Sequence, residues 1–194
     1  MDRAKIKTPL QLCAGGWVSE ARRCPTVNFN NRPEGAVVSL LVVHNISLPP
    51  GQFGGGYIEQ FFANQLDTQQ HSYFATIAEL QVSAHFLIDR TGLLTQFVAT
   101  EQRAWHAGLS SFEGCDNCND YSIGIELEGC DELPYSENQY ATLAEITELL
   151  LRCYPAIGVE RIVGHSDIAP GRKTDPGRNF DWRYYRSLLT ASGV

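Results

Sequence analysis

Gly164-His165-Ser166-Asp167-Ile168-Ala169-Pro170-Gly171-Arg172-Lys173-Thr174-Asp175-Pro176-Gly177 puts an imidazole, an ammonium and a carboxylate on one short stretch punctuated by prolines and glycines. Those side chains suit a metal ligand, an oxyanion stabiliser and a second metal ligand. His165 and Asp175 stand too far apart for adjacent positions on one helical face, and Pro170 and Pro176 fit an irregular loop that turns both inward. His44 offers a third ligand. It closes the apolar run Val37-Val38-Ser39-Leu40-Leu41-Val42-Val43, which reads as a buried strand. Two histidines and a carboxylate, with a fourth position open, match a catalytic site for one zinc ion. Strand ends and loops are common homes for such groups.

Water activated in this way needs a base to take its proton and later return it. Ile123-Gly124-Ile125 leads into Glu126 and, two residues on, Glu128. Strand alternation puts both carboxylates on one face, so periodicity does not choose between them. Lys173, just ahead of Asp175, can hold a fixed positive charge where an oxyanion develops. Asn45 follows a candidate ligand and can hydrogen-bond sugar or peptide oxygens, while Trp105 and His106 offer a flat face and a donor for a sugar ring. Arg103 and Arg172 are candidates for peptide carboxylates. His85, inside an apolar strand, reads as a core histidine or one that supports a ligand from behind. His71 carries no specific signal.

The elements that must position these groups follow from apolar spacing. After the strand ending at His44, Pro49-Pro50-Gly51-Gln52-Phe53-Gly54-Gly55-Gly56 is a flexible loop, and Tyr57 to Leu66 has the spacing of a short helix. Val82 to Ile88 and Leu93 to Val98 flank Asp89-Arg90-Thr91-Gly92 as a hairpin, with Gly92 supplying a positive φ. Tyr121 to Leu127 reads as another buried strand. Ser136 and Gln139 form a capping box opening a helix to about Cys153, with Tyr140, Leu143, Ala144, Thr147, Leu150 and Leu151 on its buried face. Arg161-Ile162-Val163 is a short strand delivering His165, and Asp181 caps a last helix. Strands interspersed with helices around one hairpin predict an α/β fold with a central mixed β-sheet flanked by helices.

The chain has 194 residues, 43% of them apolar, enough for a single domain over 1–194 with its core at about 16–190. Fifteen basic against 22 acidic residues give a formal charge of −7, which argues against nucleic-acid binding. No apolar run approaches the roughly 20 residues that span a bilayer. Met1 to Lys7 lacks the apolar segment of a secretory signal, so a cytoplasmic location is expected. Cys115 and Cys118 form a C-x-x-C without a second close pair, so the six cysteines read as reduced rather than as a structural metal site. H-E-x-x-H, the mark of many zinc peptidases, is absent.

Four blocks resemble a known family: Leu41 to Gly51, Arg103-Ala104-Trp105-His106-Ala107-Gly108, Ile123-Gly124-Ile125-Glu126-Leu127-Glu128-Gly129, and Lys173-Thr174-Asp175-Pro176-Gly177. In this order they look like the zinc-dependent N-acetylmuramoyl-L-alanine amidases, and the likeness runs from about Gly16 to Leu188. The resemblance implies the mixed sheet shared with peptidoglycan-recognition proteins. It makes His44, His165 and Asp175 the zinc ligands, Glu126 rather than Glu128 the base, and Lys173 the oxyanion partner. It also implies a monomeric cytoplasmic enzyme of cell-wall recycling, away from membranes. Its reaction would cleave the amide between the lactyl group of 1,6-anhydro-N-acetylmuramic acid and L-alanine in muropeptides. The chain departs from the family pattern at Gly114-Cys115-Asp116-Asn117, where arginines are frequent, and at Gly171, where Glu is common. Neither change touches a ligand.

Overall fold

Leu40–Ile46 lies one strand in from the edge of a six-stranded sheet in the computed structural model, which describes residues 9–191. The segment Met1 to Lys7, read above for a signal, lies outside them. In chain order the strands of this sheet are β1 (Arg22–Arg23), β2 (Leu40–Ile46), β3 (Phe86–Ile88), β4 (Leu94–Gln96), β5 (Ser122–Glu128) and β6 (Ile162–Gly164). Across the sheet they run β6-β2-β5-β3-β4-β1. β6, β2, β5 and β3 are mutually parallel, β3 and β4 form the antiparallel hairpin, and β1 adds in parallel to β4. The sheet is therefore mixed, as the sequence implied. Gly92 turns the hairpin at φ 88°.

Parallel strands covered on both faces read as unbroken apolar runs rather than alternating ones, and β2 shows why. Leu41 and Val43 pack with Ile123, Ile125 and Leu127 of β5 against α3 (Glu137–Cys153) and α5 (Trp182–Ala191). Leu40 and Val42 face the other way, onto Ala107, Cys118, Val163 and Ile168. On that second side a separate apolar cluster gathers Phe61 and Phe62 of α1 (Tyr57–Phe62), Phe74 of α2 (Ser72–Ile77) and Leu87 and Phe97. By parity, His44 and Glu126 belong to this second face. α4 (His165–Ile168) is a single turn directly after β6.

The expected strand at residues 37–43 begins instead at Leu40 and runs past His44, because Val37 is 62% exposed and has no sheet to face. The helix expected to reach Leu66 stops at Phe62, where Asn64 turns the chain at φ 58°. α3 opens with the Ser136–Gln139 capping box, and all six of the residues assigned to its inner face are buried. Asp181 Oδ1 accepts from the Tyr184 N–H at 2.8 Å, capping α5. All six cysteines are free thiols.

Candidate active site

Register decides which side chains meet. β2 and β5 pair in parallel with His44 opposite Glu126, and β6 pairs with β2 so that Gly164 lies opposite Val43. His165, one step beyond, thus arrives beside His44. Glu126 and His44 on neighbouring strands, and His165 just past the end of the next, fall into one row with about 4.8 Å between strands. They stand at the carboxyl ends of parallel strands, where α/β folds bind their ligands. Asp175 is brought back by the loop after α4, which is closed by a hydrogen bond from the Ser166 N–H to the Asp175 carbonyl at 3.0 Å. Tyr135 secures the next residue by donating to the Pro176 carbonyl at 2.7 Å.

The result is a triangle of potential ligand atoms. His44 Nδ1 lies 2.9 Å from His165 Nδ1 and 3.1 Å from Asp175 Oδ2, and His165 Nδ1 lies 3.0 Å from Asp175 Oδ2. A tetrahedral zinc site with bonds of about 2.0–2.1 Å has edges of about 3.3 Å, close to these. His165 Nε2 is 3.0 Å from the Ala107 carbonyl, which can only accept, so that nitrogen carries the proton and Nδ1 turns a lone pair inward. Burial pushes His44 down to about 4, keeping the imidazole neutral. Acceptors so close together cannot satisfy one another. A proton can serve one pair of them, whereas a divalent cation serves all three, so the donor set fits zinc. No other group of three or more potential ligands converges among the described residues.

Glu126 and Glu128, which alternation could not separate, have different surroundings. Both oxygens of Glu128 are taken up by backbone N–H groups, Gly54 at 2.6 Å and Arg90 at 3.1 Å, so it ties the glycine loop to the hairpin turn. Glu126 Oε2 is buried without a hydrogen-bond partner at the cleft. Burial, then the charge of Asp175, push its carboxyl well above the ordinary value, with Lys173 pulling the other way. A buried carboxyl oxygen without a partner is costly to keep, and perturbed groups of this kind cluster at functional clefts. Lys173 is exposed and lines the same cleft.

That cleft encloses about 380 Å³, with the His-His-Asp triangle on its floor and Tyr73, Ile77, Leu80, Val82, Phe61 and Leu48 on its walls. Trp105 lines it too, its Nε1 donating to Asn30 Oδ1 at 2.6 Å. Asn45 spends its amide within the protein, donating to Asp131 Oδ1 at 2.7 Å. His106 is also engaged inwardly, Nδ1 with His44 Nε2 at 2.9 Å and Nε2 with Ser122 Oγ at 3.1 Å, so its ring has no free nitrogen for a sugar. Arg103 pairs with Asp120, and Arg172 donates to the Ala107 and Leu109 carbonyls. His85 is a core residue that accepts from the Gly124 N–H and contacts the Gln102 carbonyl, while His71 caps α2. The sequence reading missed α2 with its cleft residues Tyr73 and Ile77. Six residues are too few to show a helical period, although Tyr73, Phe74 and Ile77 have the right spacing.

The model of the family described as N-acetylmuramoyl-L-alanine amidase matches residues 34–178, a span that contains every group in the row and the triangle. The chain is 54% identical over 177 residues to the 1,6-anhydro-N-acetylmuramyl-L-alanine amidase AmpD of Citrobacter freundii, covering 91% of this chain and 94% of that one. It is 53% identical to the AmpD of Escherichia coli strain K12 over 90% of this chain and 95% of that one. A crystal structure of a selenomethionine AmpD derivative superposes with a TM-score of 0.89 at 53% identity, over 92% of this chain and 99% of that one. The Escherichia coli amidase AmiD, solved with anhydro-N-acetylmuramic acid-L-Ala-D-gamma-Glu-L-Lys, superposes with a TM-score of 0.59 at 28% identity, over 81% of this chain and 60% of that one. With 145 of its 194 residues inside the matched span and such relatives along nearly all its length, the chain belongs to the N-acetylmuramoyl-L-alanine amidase family.

Proposed function

We propose that this protein hydrolyses the amide between the lactyl group of 1,6-anhydro-N-acetylmuramic acid and L-alanine in muropeptides, as a monomeric cytoplasmic enzyme of cell-wall recycling. The observation that carries the reading is the triangle of His44, His165 and Asp175 beside the unpartnered Oε2 of Glu126. The names of the AmpD relatives supply the substrate class. No helix among the described residues is long and apolar enough to cross a membrane.

His44, His165 and Asp175 would hold one zinc ion, which when bound keeps a position for water, lowers the pKa of that water to about 7 and polarises a carbonyl. The residues of the chain do the rest. Glu126 Oε2, freed of its proton once a cation offsets the negative charge of Asp175, accepts the proton of the attacking water. It then returns that proton to the nitrogen of L-alanine as the amide breaks. The Lys173 ammonium stabilises the oxyanion that forms on the lactyl carbonyl. Trp105 offers its ring face to the sugar, and the apolar wall around Tyr73, Ile77 and Val82 displaces water from it. Asn45 and His106 also line the cleft, with Asn45 Nδ2 and the His106 ring nitrogens engaged within the protein.

Incubation with anhydro-N-acetylmuramyl tripeptide, with and without chelator, tests this by mass spectrometry. Release of anhydromuramic acid and free peptide, lost on chelation and regained with zinc, is the expected result. A zinc-restored protein that binds the compound and never cleaves it would defeat the enzyme reading. Lys173→Met should lower kcat by about 10²–10³-fold with little change in zinc content. Unchanged kcat would leave Lys173 a surface residue.

A further inference from the structure

Trp105 and His106 were expected to offer a flat face and a donor to a sugar, but the ring nitrogens of His106 and the carbonyl of the next residue, Ala107, are directed behind the candidate ligands. His106 Nδ1 sits 2.9 Å from His44 Nε2, the nitrogen on the far side of the ring from the triangle. The Ala107 carbonyl sits 3.0 Å from the corresponding nitrogen of His165. One dipeptide thus backs both imidazoles. Asn119 clips it in place, its Oδ1 accepting from the N–H groups of His106 at 3.0 Å and Ala107 at 2.8 Å. Gly124 makes room for it, since a Cβ there would lie 2.5 Å from His106 Cγ. That requirement explains a glycine in the middle of a buried strand, where it otherwise weakens the sheet.

The tautomer follows from these partners. His44 can turn a lone pair into the triangle only if its proton is on Nε2, and a proton there needs an acceptor. His106 Nδ1 is that acceptor when the His106 proton is on Nε2 and donates to Ser122 Oγ, 3.1 Å away. We infer that His106 is a positioning residue of the metal centre, a hydrogen-bonded brace that fixes the ligating tautomer and ring orientation of His44 in parallel with the Ala107 carbonyl behind His165. The inference rests on the zinc reading above and assigns His106 a task other than touching substrate. Bracing of this kind is worth about 10- to 100-fold in metal affinity.

The test compares His106→Leu, which fills the space without an acceptor, with His106→Asn, whose Oδ1 can take the place of Nδ1. Zinc dissociation constants are measured by competition with a chromophoric chelator, and ring-nitrogen NMR shifts of the metal-free proteins report the His44 tautomer. Circular dichroism establishes that each variant is folded. The expected result is zinc binding about 10- to 100-fold weaker in His106→Leu with His44 shifted away from its Nε2–H form, and recovery of most of both in His106→Asn. A folded His106→Leu that binds zinc as tightly as the unsubstituted protein would overturn the inference, as would a folded His106→Asn no better than Leu. Failure of the unsubstituted protein to bind zinc would instead strike the reading on which the inference rests.

Discussion

Glu126→Gln is expected to lower kcat by about 10²–10⁴-fold while the protein keeps its zinc, because the amide can neither take the water proton nor return it. The substitution keeps shape and removes only the carboxyl whose Oε2 is buried without a partner. Zinc content by elemental analysis and turnover of the anhydromuropeptide would be measured on the same preparation. Near-normal turnover would remove Glu126 from the reaction and return attention to Glu128, despite its two backbone donors. The same variant should be more stable than the unsubstituted protein when metal is absent. Burial and the charge of Asp175 raise Glu126, so over the window above the unfolded carboxyl value the native state holds a proton that the unfolded chain has released. Stability therefore falls as pH rises through that window. Gln carries no such burden, so the metal-free variant should melt above its parent at about pH 8, and the gap should close below about pH 4. Equal melting at both pH values would mean that the carboxyl does not pay for its burial.

Asp175→Ala should abolish both stoichiometric zinc and turnover. It takes away the only anion of the triangle and leaves two neutral imidazoles, 2.9 Å apart at their Nδ1 atoms. Zinc at 1,000 times its dissociation constant should stabilise the unsubstituted protein by about 4 kcal/mol. That corresponds to roughly 8–16 °C in melting temperature for a chain of this size. The variant should show almost none of this shift in thermal melts with and without zinc. A variant that still takes up zinc and turns over substrate would exclude Asp175 from the ligand set.

Much of this site could be read from residue types in order along the chain. His165, Lys173 and Asp175 lie on one loop, and β2 and β5 announce themselves as apolar runs ending in His44 and Glu126. Three features were hidden for physical reasons. The choice between Glu126 and Glu128 depends on which carboxylate captures the Gly54 and Arg90 N–H groups, a contact between distant segments that no local period encodes. The role of His106 depends on its depth, since an aromatic pair before a glycine looks the same whether it faces a cleft or the back of a ligand. β2 begins at Leu40 rather than Val37 because only the sheet partners decide where an apolar run stops being exposed.

The row formed by Glu126, His44 and His165 has a consequence for how this gene can change length. A single-residue insertion within β2, β5 or β6 would slide its group one pleat along and turn it toward α3, on the apolar side of the sheet. Insertions at exposed loop positions between those strands leave the register of the row intact. A library of one-codon insertions scanned for amidase activity should therefore show intolerant windows over residues 40–46, 122–128 and 162–164, sharper than those of the exposed loops that carry none of the site's groups.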